Sequence, residues 1–260
     1  MRRLRWQRQL RAHEARLRWI ANRRQSRRPP PLPAALKTAW LRHVDQEHPR
    51  WQPGHEGWRL AAHALIQFFD ASVAAEPHPC ALPSRAADLV WHVWLEADPD
   101  GLAAWQRSHY GRVIPHREHA PGQDTGEALA HCLVRACRAE RRWPVWGTLP
   151  LLFRVDGLLR TPEGWAYTRR ADETILHRDL DALGRTHPGF WRHDELRPAM
   201  LLGFGLIGVT EAGDLRRREQ DRQDGGSGSS CGSSGGDAGC VGDGGCGSSC
   251  GSSCGSGCGS

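Results

Sequence analysis

From Ala34 to Arg142 the apolar side chains recur at intervals of three and four almost without a break, the period that lines one face of a helix. Ala35, Leu36, Ala39, Trp40, His43 and Val44 form the first stripe, which ends near His48 because a proline disfavours helical geometry in the residue before it, here Pro49. A second helix is predicted over about Gly57 to Ala75, burying Leu60, Ala64, Leu65, Phe68 and Phe69. Ser84 stands where an N-cap is needed for a third, carrying Leu89, Val90, Trp91, Trp94 and Leu95, since its hydroxyl can accept from a free first-turn N–H. Asp100 is read as the cap of a fourth helix that stops at Gly111, and Thr125 as the start of a fifth with Leu129, Cys132, Leu133, Ala136 and Cys137 inward.

After Pro144 the pattern changes. Leu149 to Val155 is a short apolar run and Trp165 to Thr168 alternates, with Thr161-Pro162-Glu163-Gly164 as a turn signal between them, so these two segments are expected to pair as a small hairpin. Asp172 is expected to cap a further helix holding Ile175, Leu176, Leu180 and Leu183 and closed by Gly184. A last helix from Asp194 is weakened by the glycines at 203, 205 and 208. The whole reads as mainly α: a compact, bundle-like helical domain with a small β-hairpin and a disordered tail rich in Gly, Ser and Cys. The divisions expected are residues 1–33, a basic amphipathic helix and Pro-rich linker; 34–213, the helical domain; and 214–260, a charged connector followed by the tail.

Charge sharpens that division. The net charge of +6 over 260 residues is unevenly spread: the first 28 residues hold eleven Arg and one Glu, which leaves the remainder slightly acidic. Trp6, Leu10, His13, Leu17, Ile20 and Ala21 share one face of a helix in that head, a pattern that suits an anionic surface or an acidic partner. Nucleic-acid binding by the folded domain is disfavoured, because counterion release needs many cations on one docking face. Pro29, Pro30, Pro31 and Pro33 then impose an extended spacer. Arg interrupts the apolar positions up to Arg28, where a secretory signal would need a run of roughly 7–15, and Met200 to Val209 is shorter than the roughly 20 residues of a membrane span. The expected location is cytoplasmic, with thiols reduced.

The tail from Gly225 to Ser260 contains fifteen Gly, eleven Ser and six Cys, and no side chain able to seed a core. Cys246, Cys250, Cys254 and Cys258 repeat every four residues. This is neither the Cys-x-x-Cys spacing of a zinc knuckle nor an iron–sulfur pattern, but flexible thiolates capture soft metals, and Ser and Cys in Gly-rich sequence are also substrates for azole-forming modification.

Within the domain the chemistry gathers at Asp88, His92 and His116. Asp88 and His92 are four apart on the predicted third helix, hence on one face, where a carboxylate can fix an imidazole tautomer or both can ligate one ion. His116 follows the next helix and can close on them, giving two imidazoles and a carboxylate, a set suited to zinc or non-haem iron with open positions. The same spacing serves an Asp–His pair that only ties two helices together. His109 and His119 are spare donors.

Asp88-x-x-Trp91-His92, then Tyr110-Gly111 and Ile114-Pro115-His116, resemble the Asp-x-x-Trp-His and Phe-Gly-x-x-Ile/Val-x-His segments of the glycine-rich domain-containing protein family of bacteria and plants. Leu149 to Asp156 and the Gly/Cys-rich tail look like its bacterial members. The resemblance implies a mainly helical domain and no established enzyme activity. It departs at Trp105 and Gln106, near the place of an aromatic–Cys pair, and at Trp94, where plant members carry another His. The function expected is non-catalytic metal or partner binding, ranked above a metal-dependent hydrolase or oxygenase built on Asp88, His92 and His116, and above a role as substrate for modification of the tail.

Overall fold

A computed structural model describes residues 30–116 and 126–213, together with Ala12 and Ala15, both helical. The basic head otherwise, Thr125 and the whole Cys-bearing tail lie outside the described residues. The chain runs α1 (Ala34–Glu47), α2 (Gly54–Ala75), α3 (Arg85–Ala97), α4 (Pro99–Tyr110), α5 (Gly126–Ala139), α6 (Leu151–Leu159), β1 (Trp165–Arg169), β2 (Ile175–Asp179), β3 (Trp191–Arg192), a single 3-10 turn (Asp194–Leu196) and α7 (Pro198–Gly203). The fold is mainly α with a small antiparallel sheet in the order β1-β2-β3.

The predicted stripes bury as their period requires. Helix α2 is the central element: Leu60, Ala61, Ala64, Leu65 and Phe69 on it are all but inaccessible, and it packs against α5, α3 and α6. Trp40 of α1 is fully buried between Trp51 and Trp58, ring centroids 5.7 and 5.5 Å away, and Trp51 Nε1 donates to the Leu159 carbonyl at the end of α6 (2.9 Å). Deep aromatic burial of this kind supplies much of a small domain's apolar driving force. The proline segment is not a free spacer. Pro33 has the extended geometry expected (φ −54°, ψ 134°), yet Leu32 packs on the core and the Pro31 carbonyl accepts from Trp105 Nε1 at 3.2 Å.

Four local expectations are corrected. The cap of α4 is Asp98, which accepts from Gly101 N (2.9 Å); Pro99 occupies the first helical position, where its missing N–H costs nothing, and Asp100 lies inside the helix. The apolar run 149–155 enters helix α6 and not a strand. No side chain of its own caps α6; instead Gln67 Oε1 accepts from Leu152 N (3.0 Å) and Glu140 Oε1 from Leu151 N (2.6 Å), so groups distant in sequence satisfy its free N–H groups. The hairpin therefore forms between β1 and β2, with Tyr167 opposite His177, and the segment after Asp172 is strand β2 instead of a helix. From Asp194 the chain makes the 3-10 turn and then the six-residue α7.

Candidate metal centre

The site is built on the N-terminus of α3. Ser84 is extended (φ −145°, ψ 120°) and its Oγ accepts from Ala87 N at 3.1 Å, as a capping hydroxyl does. The same Oγ donates to Oδ1 of Asp156, 2.9 Å away. Asp156, on α6 and 1% exposed, also accepts from Ala86 N (2.9 Å), Arg85 N (2.8 Å) and Trp165 N (3.1 Å). Burial pushes its carboxyl above the ordinary range against the pull of these four donors. Gly164 makes room for it: a Cβ there would stand 2.8 Å from Asp156 Oδ2. One buried carboxylate thus joins the start of α3, helix α6 and strand β1.

One turn on, Asp88 and His92 project together, with Asp88 Oδ2 3.5 Å from His92 Nε2. His116 arrives from the other side. Helix α4 ends at Gly111, whose φ of +74° is costly for any side-chain-bearing residue, and the chain turns back. Its return is pinned by Ile114, buried, whose N–H donates to Oε1 of the fully buried Gln106 at 3.1 Å, and by an ion pair between Arg112 and Glu76. Two residues later His116 Nε2 lies 3.0 Å from Asp88 Oδ1. Its ring stands edge-on to Trp91 (4.5 Å, 87°) and to His92 (4.5 Å, 73°), so it is held on two sides.

One donor atom from each of Asp88, His92 and His116 lies within 4.8 Å of the others. For ligands about 2.1 Å from an ion, neighbouring donors are separated by about 3.0–3.4 Å; His116 Nε2 lies 3.0 Å from Asp88 Oδ1 and His92 Nε2 3.5 Å from the other carboxylate oxygen, Oδ2. In the His116–Asp88 hydrogen bond Nε2 is the donor, and binding an ion through Nε2 takes the tautomer with its N–H on Nδ1. Arg85 Nη1, 3.5 Å from Asp88 Oδ2, is a competing cation at the rim. His92 is the most open of the three, its side chain 38% exposed.

His109 does not join them: its Nδ1 contacts the Trp105 carbonyl (2.8 Å) and its ring stacks on Trp105. His119, Cys246, Cys250, Cys254 and Cys258 lie outside the described residues. Sequence reasoning missed Gln106 and Asp156, the two buried polar groups that set the geometry. Each lies within a motif segment, but no spacing rule marks it.

A model of a family described as UCP032817-like matches residues 33–183, more than half of the 260-residue chain. The chain belongs to the UCP032817-like family. The part of this UCP032817-like chain that matches holds all three donors, Gln106, Asp156 and the β1–β2 hairpin. No curated protein and no solved structure matches the chain. Among the described residues no helix is long and apolar enough to cross a membrane.

Proposed function

We propose that this is a non-catalytic metal-binding protein of the glycine-rich domain-containing type found in bacteria, acting in the cytoplasm and holding one divalent ion on Asp88, His92 and His116. The observation that carries the reading is that donors 28 residues apart meet at 3.0 Å through a loop whose return is fixed by the buried Gln106. Two imidazoles and one carboxylate suit zinc or ferrous iron. The tail thiols Cys246, Cys250, Cys254 and Cys258 form a separate, softer pool of ligands in this reading, and the basic head contacts an anionic surface or an acidic partner.

Titration of the full chain with Co(II) tests the site, because nitrogen and oxygen donors give weak visible bands without the intense thiolate charge transfer of the tail. The His92→Ala and His116→Ala variants should each lose the same non-thiolate component. Spectra identical to wild type in both variants would reject the site.

A further inference from the structure

A second cluster of donors lies outside the proposed centre. Glu127 and His131 are four apart on α5, and His78 sits in the loop that follows α2; one donor atom from each lies within 4.8 Å of the others. The rings of His78 and His131 are stacked, centroids 4.4 Å apart and planes 15° off parallel. The loop is fixed where it meets α5, with Ala81 N donating to the Ala128 carbonyl (3.2 Å) and His78 N to the Ala75 carbonyl (3.0 Å). The neighbouring Cys80 turns its thiol to the Ala71 carbonyl (3.6 Å).

The independent observation is His131 itself. Its residue is 3% exposed and neither ring nitrogen has a hydrogen-bond partner; Glu127 Oε1 is 3.7 Å from Nε2, too long for a hydrogen bond. A buried imidazole with both nitrogens unmatched is costly. Burial, and then the neighbouring His78, lower its affinity for a proton, with Arg135 acting in the same direction and Glu127 against it. The ring is therefore held in the neutral form that binds metals. His78 and Glu127 are exposed, so an ion here would be reached from solvent with positions left for water.

We infer that His78, Glu127 and His131 form a second site for a borderline divalent cation such as Zn(II) or Co(II). The two-nitrogen, one-carboxylate donor set disfavours Mg(II) and Ca(II), which take oxygen ligands. Filling it matches a buried His131 nitrogen and draws Glu127 inward.

The test is paramagnetic broadening of histidine ring signals by Co(II) in the full chain, with His78, His131, His92 and His116 assigned by single substitution to Gln. Broadening of His78 and His131 below one added equivalent per site, weakened at least tenfold in apparent affinity by Glu127→Gln, is the expected result. Glu127 is exposed, so that variant tests the site without disturbing the core. Signals of His78 and His131 that stay sharp at saturating Co(II), or broadening that Glu127→Gln leaves unchanged, would overturn the inference. The signals of His92 and His116 report separately on the first centre.

Discussion

Asp156 accepts from four donors and so ties α3, α6 and β1 together. Replacing it by Ala leaves the Ser84 hydroxyl and the N–H groups of Arg85, Ala86 and Trp165 without their acceptor, three of them at the start of α3. At roughly 1–3 kcal/mol for each buried group left unmatched, the loss should exceed about 3 kcal/mol, read as a drop in the urea midpoint. Gly164→Ala should act on the same carboxylate more mildly, costing about 1–3 kcal/mol by overpacking, since the added Cβ would press on Asp156 Oδ2. Gln106→Leu removes the acceptor of Ile114 N; it should weaken metal binding at His116 while leaving Asp88 and His92 in place, a difference that Co(II) titration measures. The approach of Asp88 to His92 was legible in the sequence, because a four-residue step on one helix is a local property. That His116 meets them was only an allowed closure, since the closing loop depends on a buried Gln that no spacing rule marks. His78 and His131 went unremarked for the same reason: 53 positions apart in the chain, they meet only because the loop after α2 crosses α5.

At the scale of elements, the helices with local signals lie where the pattern places them, although α4 is capped by Asp98 and not by Asp100. Ser84 caps α3 and Gly111 stops α4, each through groups within four residues. The other departures lie in 149–184. There α6 takes its first-turn partners from Gln67 and Glu140, and β2 is a strand because it pairs with β1 and buries Ile175 and Leu176. Both are tertiary effects that override local propensity. The hairpin carries a pH-dependent contact. His177 Nδ1 is 2.7 Å from His193 Nε2, His193 Nδ1 is 2.7 Å from Glu195 Oε1, and His177 Nε2 is 3.5 Å from Asp179 Oδ1, with Tyr167 packed against both rings. Burial and then His193 lower the His177 pKa to about 4, against the pull of Asp179 and Glu195. Between that value and the ordinary 6.5 the unfolded chain binds a proton that the folded one refuses. Stability supplied by neutral His177 is therefore present above about pH 6.5 and lost as pH falls toward 4. Urea midpoints measured from pH 7 to 5 should fall less steeply in His177→Gln than in wild type; parallel curves would show that His177 stays proton-coupled to nothing in folding.

For the whole molecule, the composition describes no single surface. The basic residues of the head, the near-neutral helical domain and the thiols of the tail are separate chemistries on one chain, and the domain alone carries the family match. Replacing Cys231, Cys240, Cys246, Cys250, Cys254 and Cys258 together by Ser in the full chain should abolish thiolate charge transfer on Co(II) addition while leaving the bands from histidine sites intact. Loss of both would tie the histidine sites to the tail.

The central claim, that Asp88, His92 and His116 hold an ion, is met most directly by elemental analysis of purified full-length wild type beside His92→Ala, prepared identically. Because both carry the same tail and the same His78, Glu127 and His131, only their difference matters. The account predicts that the variant contains about one equivalent less zinc or iron per chain. Equal metal content in the two proteins would contradict it and leave Asp88, His92 and His116 as a tie between α3 and the segment that follows α4.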